Sequence, residues 1–152
     1  MDLPTILLVE DDPNDQELCR LALEEHRIKN KLDVVEDGAE ALDYLFAQGK
    51  YVERDIISLP QVVLLDLKLP KISGLEVLRK LRENPRTKYL PVVVFTSSKE
   101  EQDIVDSYKL GANAYVRKPI DFSQFSKAVE QLGIFWVLLN ESVRKYDVEE
   151  KR

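Results

Sequence analysis

The amino-acid sequence predicts an α/β fold, in which helices cover both faces of a doubly wound, five-stranded parallel sheet. The first observation is that five short apolar runs alternate with stretches of helical periodicity along the 152 residues. The second is that runs one, three and four are continuous and rich in Val, Ile and Leu, as strands buried on both faces should be. The predicted strands are Ile6–Val9, Leu32–Val35, Val62–Leu65, Val92–Phe95 and Ala114–Val116.

The first predicted helix follows the first strand. Asp12 is suited to cap it, because Pro13 then occupies a first helical position, where its missing N–H has no cost. Leu18, Leu21 and Ala22 recur at helical spacing and would form the stripe that faces the sheet.

The second helix is expected over 39–47. The connection after it, 48–60, is long by the usual standard of about 4–6 residues. Ser73 and Glu76 have the spacing of a capping box and predict the start of the third helix. That helix should end near Asn84-Pro85, because the residue before a proline avoids the helical conformation. Its inward residues would be Val77, Leu78 and Leu81.

The fourth helix is expected over 100–110, with Gly111 as a left-handed C-cap. The fifth should begin near Asp121, and its apolar residues recur at three- and four-residue spacing. They are Phe122, Phe125, Val129, Leu132, Trp136 and Leu139. We expect one domain over 1–152 with a core of about 5–140, a charged tail over 141–152 and no output domain.

Bulk composition narrows the classes of function. The net charge of −6 argues against nucleic acid as the direct partner, because phosphate backbones attract basic surfaces. Cys19 is the single cysteine, so an intrachain disulfide is excluded, and His26 is the single histidine, which excludes a histidine-rich zinc site. The start has no signal-peptide pattern, and no apolar run approaches the roughly 18–20 residues of a membrane span, so we expect a cytoplasmic protein.

Residues that carry chemistry stand where the predicted parallel strands end. Asp66 closes the third strand, Thr96 follows the fourth 30 residues later, and Lys118 lies 52 residues after Asp66, past the fifth. An acidic cluster, Glu10-Asp11-Asp12, closes the first strand. Open α/β sheets place their chemistry at this edge. A carboxylate placed there between a cation, a hydroxyl and an ammonium outlines a site that accepts a phosphoryl group.

The acids at this edge suit Mg²⁺, which is usually held by one or two carboxylates together with water and phosphate oxygens. Asp11 and Asp66 could supply the carboxylates, and Glu10 could orient a metal-bound water. The alternative is that the acids only cap or terminate local structure. For Asp12 this alternative is preferred, because Pro13 follows it. Asp66, taken alone, could also do no more than start a turn.

Thr96 and Lys118 offer the donors that a phosphoryl group needs. The Thr96 hydroxyl can donate to a phosphoryl oxygen, and the small Ser97 leaves room for the group, whereas Ser98 is expected to cap the fourth helix. The Lys118 ammonium could pair first with Asp66 and then with the phosphoryl group. A solvated surface lysine is the ordinary alternative for Lys118 alone, and the proline bond that follows it is a candidate cis peptide.

Together these residues resemble the receiver domain of two-component response regulators, over about Thr5 to Asn140. The motifs agree in order, spacing and strand-end context. They are Val9-Glu10-Asp11-Asp12, Leu65-Asp66-Leu67-Lys68-Leu69-Pro70 with Gly74, Val94-Phe95-Thr96-Ser97, and Gly111-Ala112-Asn113-Ala114-Tyr115 leading to Lys118-Pro119. The resemblance implies a flavodoxin-like fold with strand order 2-1-3-4-5 and an extended C-terminal helix.

The resemblance also implies how the group is accepted. Asp66 would be the phosphoacceptor, phosphorylated by a sensor histidine kinase in a Mg²⁺-dependent phosphorelay. Asp11, Asp66 and the Lys68 carbonyl would bind the ion directly, and Glu10 would act through water. The protein would not be an enzyme, beyond assisting its own phosphorylation and dephosphorylation.

The same resemblance implies a switch. Thr96 and Lys118 would contact the phosphoryl group, and Tyr115 would turn inward when Thr96 moves toward it. The new charge and acceptor oxygens would thereby bias a surface built from the fourth helix, fifth strand and fifth helix. In this family the positions two after the phosphoacceptor and two after the threonine, here Lys68 and Ser98, tune the lifetime of the phosphoryl group.

A narrower resemblance concerns the partner. The 48–60 segment, the Leu65–Pro70 motif and the Phe135-Trp136 ending are similar to stand-alone receivers that serve bacterial phytochromes, notably in cyanobacteria. Such regulators act on a downstream phosphotransfer or effector protein and commonly form homodimers through the last helix. The residues expected in that contact are Ile134, Phe135, Val137 and Leu138. The alternative for them is a longer helix packed on its own sheet.

Two other functions share part of this pattern. Haloacid-dehalogenase-type phosphatases also use a strand-end aspartate, but they need a second acid two residues later, where this chain has Lys68. Neither a P-loop nor a Rossmann glycine motif is present. A phosphorylation-independent interaction module on the same fold stays open, because fold alone does not decide function. Phosphoryl turnover at Asp66 would separate it from a phosphoacceptor.

Overall fold

The structure, a computed structural model, describes residues 5–25, 31–118 and 121–133. Its strands are β1 (Thr5–Val9), β2 (Lys31–Val35), β3 (Val62–Leu65), β4 (Val92–Thr96) and β5 (Ala114–Arg117). Its helices are α1 (Pro13–Glu25), α2 (Gly38–Phe46), α3 (Gly74–Glu83), α4 (Glu101–Lys109) and α5 (Phe122–Gly133). The strands pair in parallel in the order β2-β1-β3-β4-β5, which confirms the predicted fold class and strand order.

Alternate residues of the central strands fill two separate layers of core, because successive side chains of a strand point to opposite faces. Leu7 and Val9 of β1 cluster with buried residues of α2 and α3. Ile6 and Leu8 belong to clusters that include residues of α1, and the cluster of Leu8 also contains Phe125 of α5. The continuous apolar runs are therefore explained by burial on both faces.

The start of α1 is as predicted, but its buried face is so only in part, since Leu18 and Ala22 pack against the core as predicted and Leu21 does not. The backbone N–H of Asn14 donates to Asp12 Oδ1 at 2.8 Å, so Asp12 caps the helix. Leu21 is 42% exposed, and the prediction that it faces the sheet was wrong. The fully buried residues of α1 are Cys19, Ala22 and Leu23. Cysteine packs as a small apolar residue, and its burial rotates the inward face away from the one that the leucines indicated.

Cys19 lies deep in this layer. Its exposed fraction is 1%, and burial raises the pKa of its thiol to about 12. Because the thiolate is the reactive form of cysteine, this thiol is inert in the folded protein.

The third helix begins and ends as predicted. Ser73 Oγ accepts a hydrogen bond from the backbone N–H of Glu76 at 3.2 Å, and Asn84 is the C-cap. The buried residues include the predicted stripe, Val77, Leu78 and Leu81. A strong cap and a clean apolar stripe therefore suffice to place this helix, which packs its N-terminus against the end of β3.

That close approach requires a glycine at position 74. The Gly74 N–H donates to the Leu67 carbonyl at 2.9 Å, and a Cβ at this position would lie 2.6 Å from Leu67 Cα and overlap the Asp66 carbonyl oxygen. Because both obstacles are backbone, we expect Gly74→Ala to lower the free energy of unfolding by about 1–3 kcal/mol. Urea denaturation followed by circular dichroism measures the change.

The matched control for this prediction is Lys80→Ala, an alanine on the exposed face of the same helix. We expect it to change stability by less than about 0.5 kcal/mol. A Gly74→Ala variant as stable as the wild type would contradict the tight packing of α3 on the end of β3.

The sequence prediction for α4 is correct at the C-terminal end of the helix and wrong at its N-terminal end. Gly111 has a φ of 90° just after the C-cap Leu110, so the predicted left-handed glycine is confirmed. The N-cap is Glu100, and the prediction that Ser98 caps the helix was wrong. Ser98 Oγ instead donates to Asp103 Oδ2 at 2.5 Å, and this bond ties the end of β4 to the first turn of α4.

The start of α5 is also as predicted, since the backbone N–H of Gln124 donates to Asp121 Oδ1 at 2.8 Å. Phe125 is buried against Phe95 with ring centroids 4.9 Å apart. Phe122 is 40% exposed, so the prediction that it belongs to the inward stripe was wrong. Several predictions lie outside the described residues or side chains: Val129, Leu132, Trp136, Leu139, the tail 141–152, the isomer of Lys118-Pro119, and the dimer contacts Ile134, Phe135, Val137 and Leu138.

The long connection, 48–60, is held against α2. It opens with a short 3-10 helix, Gly49–Tyr51, and Arg54 then stacks on the Tyr44 ring with Cζ 3.7 Å from the centroid. Arg54 also donates to the Tyr44 and Ser58 carbonyls. Among the helices of the described residues, none has the length and apolarity needed to cross a bilayer.

Candidate functional site

The predicted site residues meet at the carboxyl edge of the sheet. Glu10 and Asp11 directly follow β1, and Asp66 directly follows β3. The pairing of the two strands continues past their ends, because the Asp66 N–H donates to the Val9 carbonyl at 3.1 Å. Parallel pairing in register therefore brings the acidic cluster beside Asp66.

Three carboxylates form a compact group of oxygen donors at this edge. Glu10, Asp11 and Asp66 each offer an oxygen, and these atoms lie within 4.8 Å of one another. Glu10 is 1% exposed and Asp66 is 6% exposed, whereas Asp11 opens to solvent. Hard divalent cations such as Mg²⁺ and Mn²⁺ favour such oxygen ligands, and the open side leaves room for water or phosphate. The group fits a cation of this class.

Lys118 supplies the ammonium that was predicted to face Asp66. Its Nζ donates to Glu10 Oε1 at 2.5 Å, to Asp15 Oδ2 at 2.8 Å and to Asp66 Oδ2 at 3.2 Å. The side chain is 11% exposed, so the surface-lysine alternative for Lys118 is excluded. Burial by itself lowers the pKa of Lys118, but the hydrogen bonds to Asp15 and Glu10 and the charge of Asp66 raise it above its usual value.

Glu10 is the most deeply buried acid of the group. Burial raises the pKa of Glu10 to about 7, even though the hydrogen bond and charge of Lys118 act to lower it. Its second oxygen, Oε2, accepts the backbone N–H of Asp12 at 3.1 Å. The Glu10 carboxyl group is thus held at both oxygens, at Oε1 by the Lys118 ammonium and at Oε2 by the backbone of the residue before α1.

Two residues of this site, Asp15 and Gln16, were missed by the sequence reasoning. Asp15 contacts Lys118 as described above, and Gln16 Nε2 donates to the Glu10 carbonyl at 2.7 Å. Both belong to the first turn of α1, which starts directly after the acidic cluster. The signal was the position of that turn, since a helix that begins at a strand end directs its first side chains over the same edge of the sheet.

Thr96 and Tyr115 are linked through Ser98. Thr96 is fully buried at the end of β4, and its Oγ1 accepts the Ser98 N–H at 3.4 Å. The Tyr115 hydroxyl donates to the Ser98 carbonyl at 3.1 Å. Ser97, between Thr96 and Ser98 in the sequence, is exposed. The Lys118 N–H donates to the Thr96 carbonyl at 2.8 Å, so the residue that follows β5 lies beside the last residue of the neighbouring β4.

A family model agrees with this geometry. The model described as response regulator receiver domain matches residues 6–130. The chain belongs to this family. The match covers the five strands, the acidic cluster, Asp66, Thr96 and Lys118, and it confirms the resemblance drawn from the motifs.

Three relatives show which known response regulators this receiver domain is similar to. It is 39% identical over 132 residues to the response regulator Rcp1 of Synechocystis sp. (strain ATCC 27184 / PCC 6803 / Kazusa), covering 87% of this chain and 88% of Rcp1. A structure of the Mn²⁺-bound form of Rcp1 matches with a TM-score of 0.81 and 37% identity, over 91% of this chain and 97% of the other.

The other two relatives are also of known structure, and both are named as phytochrome response regulators. The phosphorylated cyanobacterial phytochrome response regulator RcpA has a TM-score of 0.82 at 37% identity, over 91% of this chain and 97% of its own. The bacteriophytochrome response regulator AtBRR is 54% identical with a TM-score of 0.74, over 93% of this chain and 100% of its own. The receiver domain is thus related to regulators named for phytochromes.

Lys68 and Ser98 take different places in this receiver domain. The Lys68 side chain is exposed, while its N–H donates to Asp66 Oδ1 at 3.1 Å. Ser98 is 1% exposed and bonded to α4 as described above. Position 68 is therefore open to solvent, whereas position 98 lies in the interior. The Lys68 carbonyl as a metal ligand stays a prediction.

Proposed function

We propose that this receiver domain is the phosphoacceptor of a two-component phosphorelay, and that Asp66 receives a phosphoryl group from a sensor histidine kinase. The observation that carries the proposal is the placement of one nearly buried carboxylate, Asp66, between two further acids and the ammonium of Lys118. A cluster of acids alone, or an acid paired with a lysine alone, is common in proteins. Their combination at the carboxyl edge of a parallel sheet supports acceptance of a phosphoryl group.

The cation in the proposal is Mg²⁺, held by Asp11 and Asp66, with the Lys68 carbonyl, and with Glu10 acting through water. The group of three carboxylates supports this assignment, since their oxygens are close enough to share one ion. When bound, the ion supplies positive charge that offsets the repulsion between these acids and an incoming phosphoryl group.

In the transfer itself, a carboxylate oxygen of Asp66 forms a bond to phosphorus while the P–N bond of the donor phosphohistidine breaks. The Lys118 ammonium, already bonded to Asp66 Oδ2, offers a charge-assisted hydrogen bond to the transferred group. Thr96, buried at the end of β4, is the proposed hydroxyl donor. The group leaves by hydrolysis or by transfer back to a histidine.

The output proposed for the transfer is a shift of the Thr96–Ser98–Tyr115 chain. Thr96 would turn toward the phosphoryl oxygens, and Tyr115 would fill the space it leaves. Two hydrogen bonds support this route, because Ser98 donates its N–H to Thr96 Oγ1 and accepts the Tyr115 hydroxyl at its carbonyl. Such a movement biases the surface of α4, β5 and α5 toward a partner.

The proposed partner is a phytochrome-type histidine kinase. Support comes from the similarity to RcpA and AtBRR, which are both named as phytochrome response regulators. The proposal also includes a downstream phosphotransfer or effector protein, a cytoplasmic location and a homodimer. The dimer contact would involve Ile134, Phe135, Val137 and Leu138.

Labelling with acetyl phosphate tests the proposal directly. The purified protein is incubated with and without Mg²⁺, and intact mass and size-exclusion elution are recorded. A gain of one phosphoryl group that requires Mg²⁺ supports a phosphoacceptor, and a simultaneous change in elution supports a dimer controlled by phosphorylation. If neither acetyl phosphate nor a phosphorylated phytochrome kinase labels the protein, the phosphorylation-independent module is the better description.

A further inference from the structure

Lys118 is shared among three carboxylates, and the one outside the proposed reaction holds it more closely than the acceptor does. Asp15 Oδ2 lies 2.8 Å from Lys118 Nζ, whereas Asp66 Oδ2 lies 3.2 Å from it. The mechanism above uses Lys118 as the partner of Asp66 and of the phosphoryl group. Asp15 therefore competes for the same ammonium.

The position of Asp15 is built into the fold. Asp12 caps α1, and Gln16 Nε2 donates both to the Glu10 carbonyl at 2.7 Å and to Glu36 Oε2 at 2.8 Å. These bonds fix the first turn of α1 on the edge of the sheet, with Asp15 in the middle of it.

An acid in the first turn of a helix commonly has a simpler explanation, namely attraction to the positive end of the helix dipole. That explanation needs no tertiary partner. The Asp15 side chain is only 23% exposed, and it reaches a lysine 103 residues away in sequence. Its contact with Lys118 is more than the dipole requires.

We propose that Asp15 is a positioning residue for Lys118, an inference that rests on the proposed phosphoacceptor function. Its carboxylate holds the ammonium partly away from Asp66 in the unphosphorylated state. It also adds a negative charge near the cation and the phosphoryl group. Both effects oppose the phosphorylated state. The negative charge of Asp15 also favours the metal-bound state.

The two ligands of the site therefore respond to Asp15 with opposite signs. In Asp15→Asn, the ammonium is released toward Asp66 and one negative charge is lost. We expect Mg²⁺ to bind about 3- to 10-fold more weakly, and beryllofluoride, a stable mimic of the phosphoryl group, to bind about 3- to 10-fold more tightly at saturating Mg²⁺. Isothermal titration calorimetry of the full chain measures both affinities.

Opposite signs distinguish positioning from structural damage, which would weaken both ligands. The matched control is Glu17→Gln, which removes the same charge from an exposed position of α1 and should leave both affinities within about twofold. Asp15→Glu keeps the charge and should retain most of the wild-type Mg²⁺ affinity.

Two results overturn the inference: unchanged affinities in Asp15→Asn, or a loss of affinity for both ligands. If the wild type binds Mg²⁺ but no beryllofluoride, the proposed function itself fails and the inference falls with it. Wild-type binding of both ligands together with an unresponsive Asp15→Asn variant removes the inference alone.

Discussion

Replacing Asp66 by asparagine is expected to abolish the Mg²⁺-dependent gain of a phosphoryl group. The amide is close to the carboxylate in shape and can still accept the N–H of Lys68, so the backbone after β3 should be kept. It lacks the charge that makes the oxygen nucleophilic, and it removes a carboxylate from the cation group. Intact mass after acetyl phosphate treatment should show full loss of label, and Mg²⁺ should stabilise the variant less than the wild type.

The chain offers a matched control in Asp12→Asn, which removes another acid of the same edge. Asp12 is exposed, and its role in the structure is to cap α1, a role that asparagine performs equally well. We expect Asp12→Asn to be labelled normally. Acid-stable phosphate on Asp66→Asn would show that the phosphoryl group goes to another side chain, and the assignment of Asp66 would then be wrong.

Lys118→Ala is expected to have two separable effects, on stability and on signalling. Without metal, the variant leaves Glu10, Asp15 and Asp66 close together without the ammonium that bonds all three. Removing one partner of a buried ion pair is strongly destabilising, and we expect a loss of about 2–4 kcal/mol, with Asp15 partly relieved by solvent. Because a divalent cation can replace the missing charge, Mg²⁺ should raise the melting temperature of this variant more than that of the wild type.

The effect on signalling follows from the partner that Lys118 offers to the phosphoryl group. Labelling by acetyl phosphate should be slower but should persist, since the acceptor and the cation group remain. The change in amide hydrogen exchange over α4 and β5 on phosphorylation should be lost. Lys127→Ala, an exposed lysine of α5, is the control and should behave as wild type. Normal Mg²⁺ dependence of stability in Lys118→Ala would contradict the shared role of its ammonium.

Much of this fold could be predicted from the sequence, because its signals are local. Continuous apolar runs mark strands buried on both faces, and the Ser73 cap and Gly111 turn mark helix ends. The errors at Leu21 and Phe122 came from assuming that every large apolar residue faces inward. A small buried residue such as Cys19 can define the packed face instead, and only the packing of α1 on the sheet shows this.

The site was predictable where a strand end fixes the residue. Glu10, Asp11, Asp66, Thr96 and Lys118 all directly follow or end a strand, so their meeting follows from the parallel order of the sheet. Asp15 was not predictable in this way. Its role depends on which direction the first turn of α1 faces. That turn is held by hydrogen bonds from Gln16 to the Glu10 carbonyl and to Glu36, and the spacing of residues along the chain does not show these tertiary contacts.

The buried thiol of Cys19 gives the protein an internal reporter of its own opening. Because the thiol is 1% exposed and largely protonated, a thiol-reactive reagent can trap it only when α1 separates from the sheet. Because α1 also carries Asp15 beside the acidic cluster, the rate of thiol labelling reports how often this helix opens away from the site. A cation that binds only the folded state, at a concentration about 100 times its dissociation constant, raises the free energy of unfolding by roughly 2.7 kcal/mol. Thiol labelling that requires global unfolding should then slow by about 100-fold. Ligand occupancy can then be read from the native sequence, with no introduced label.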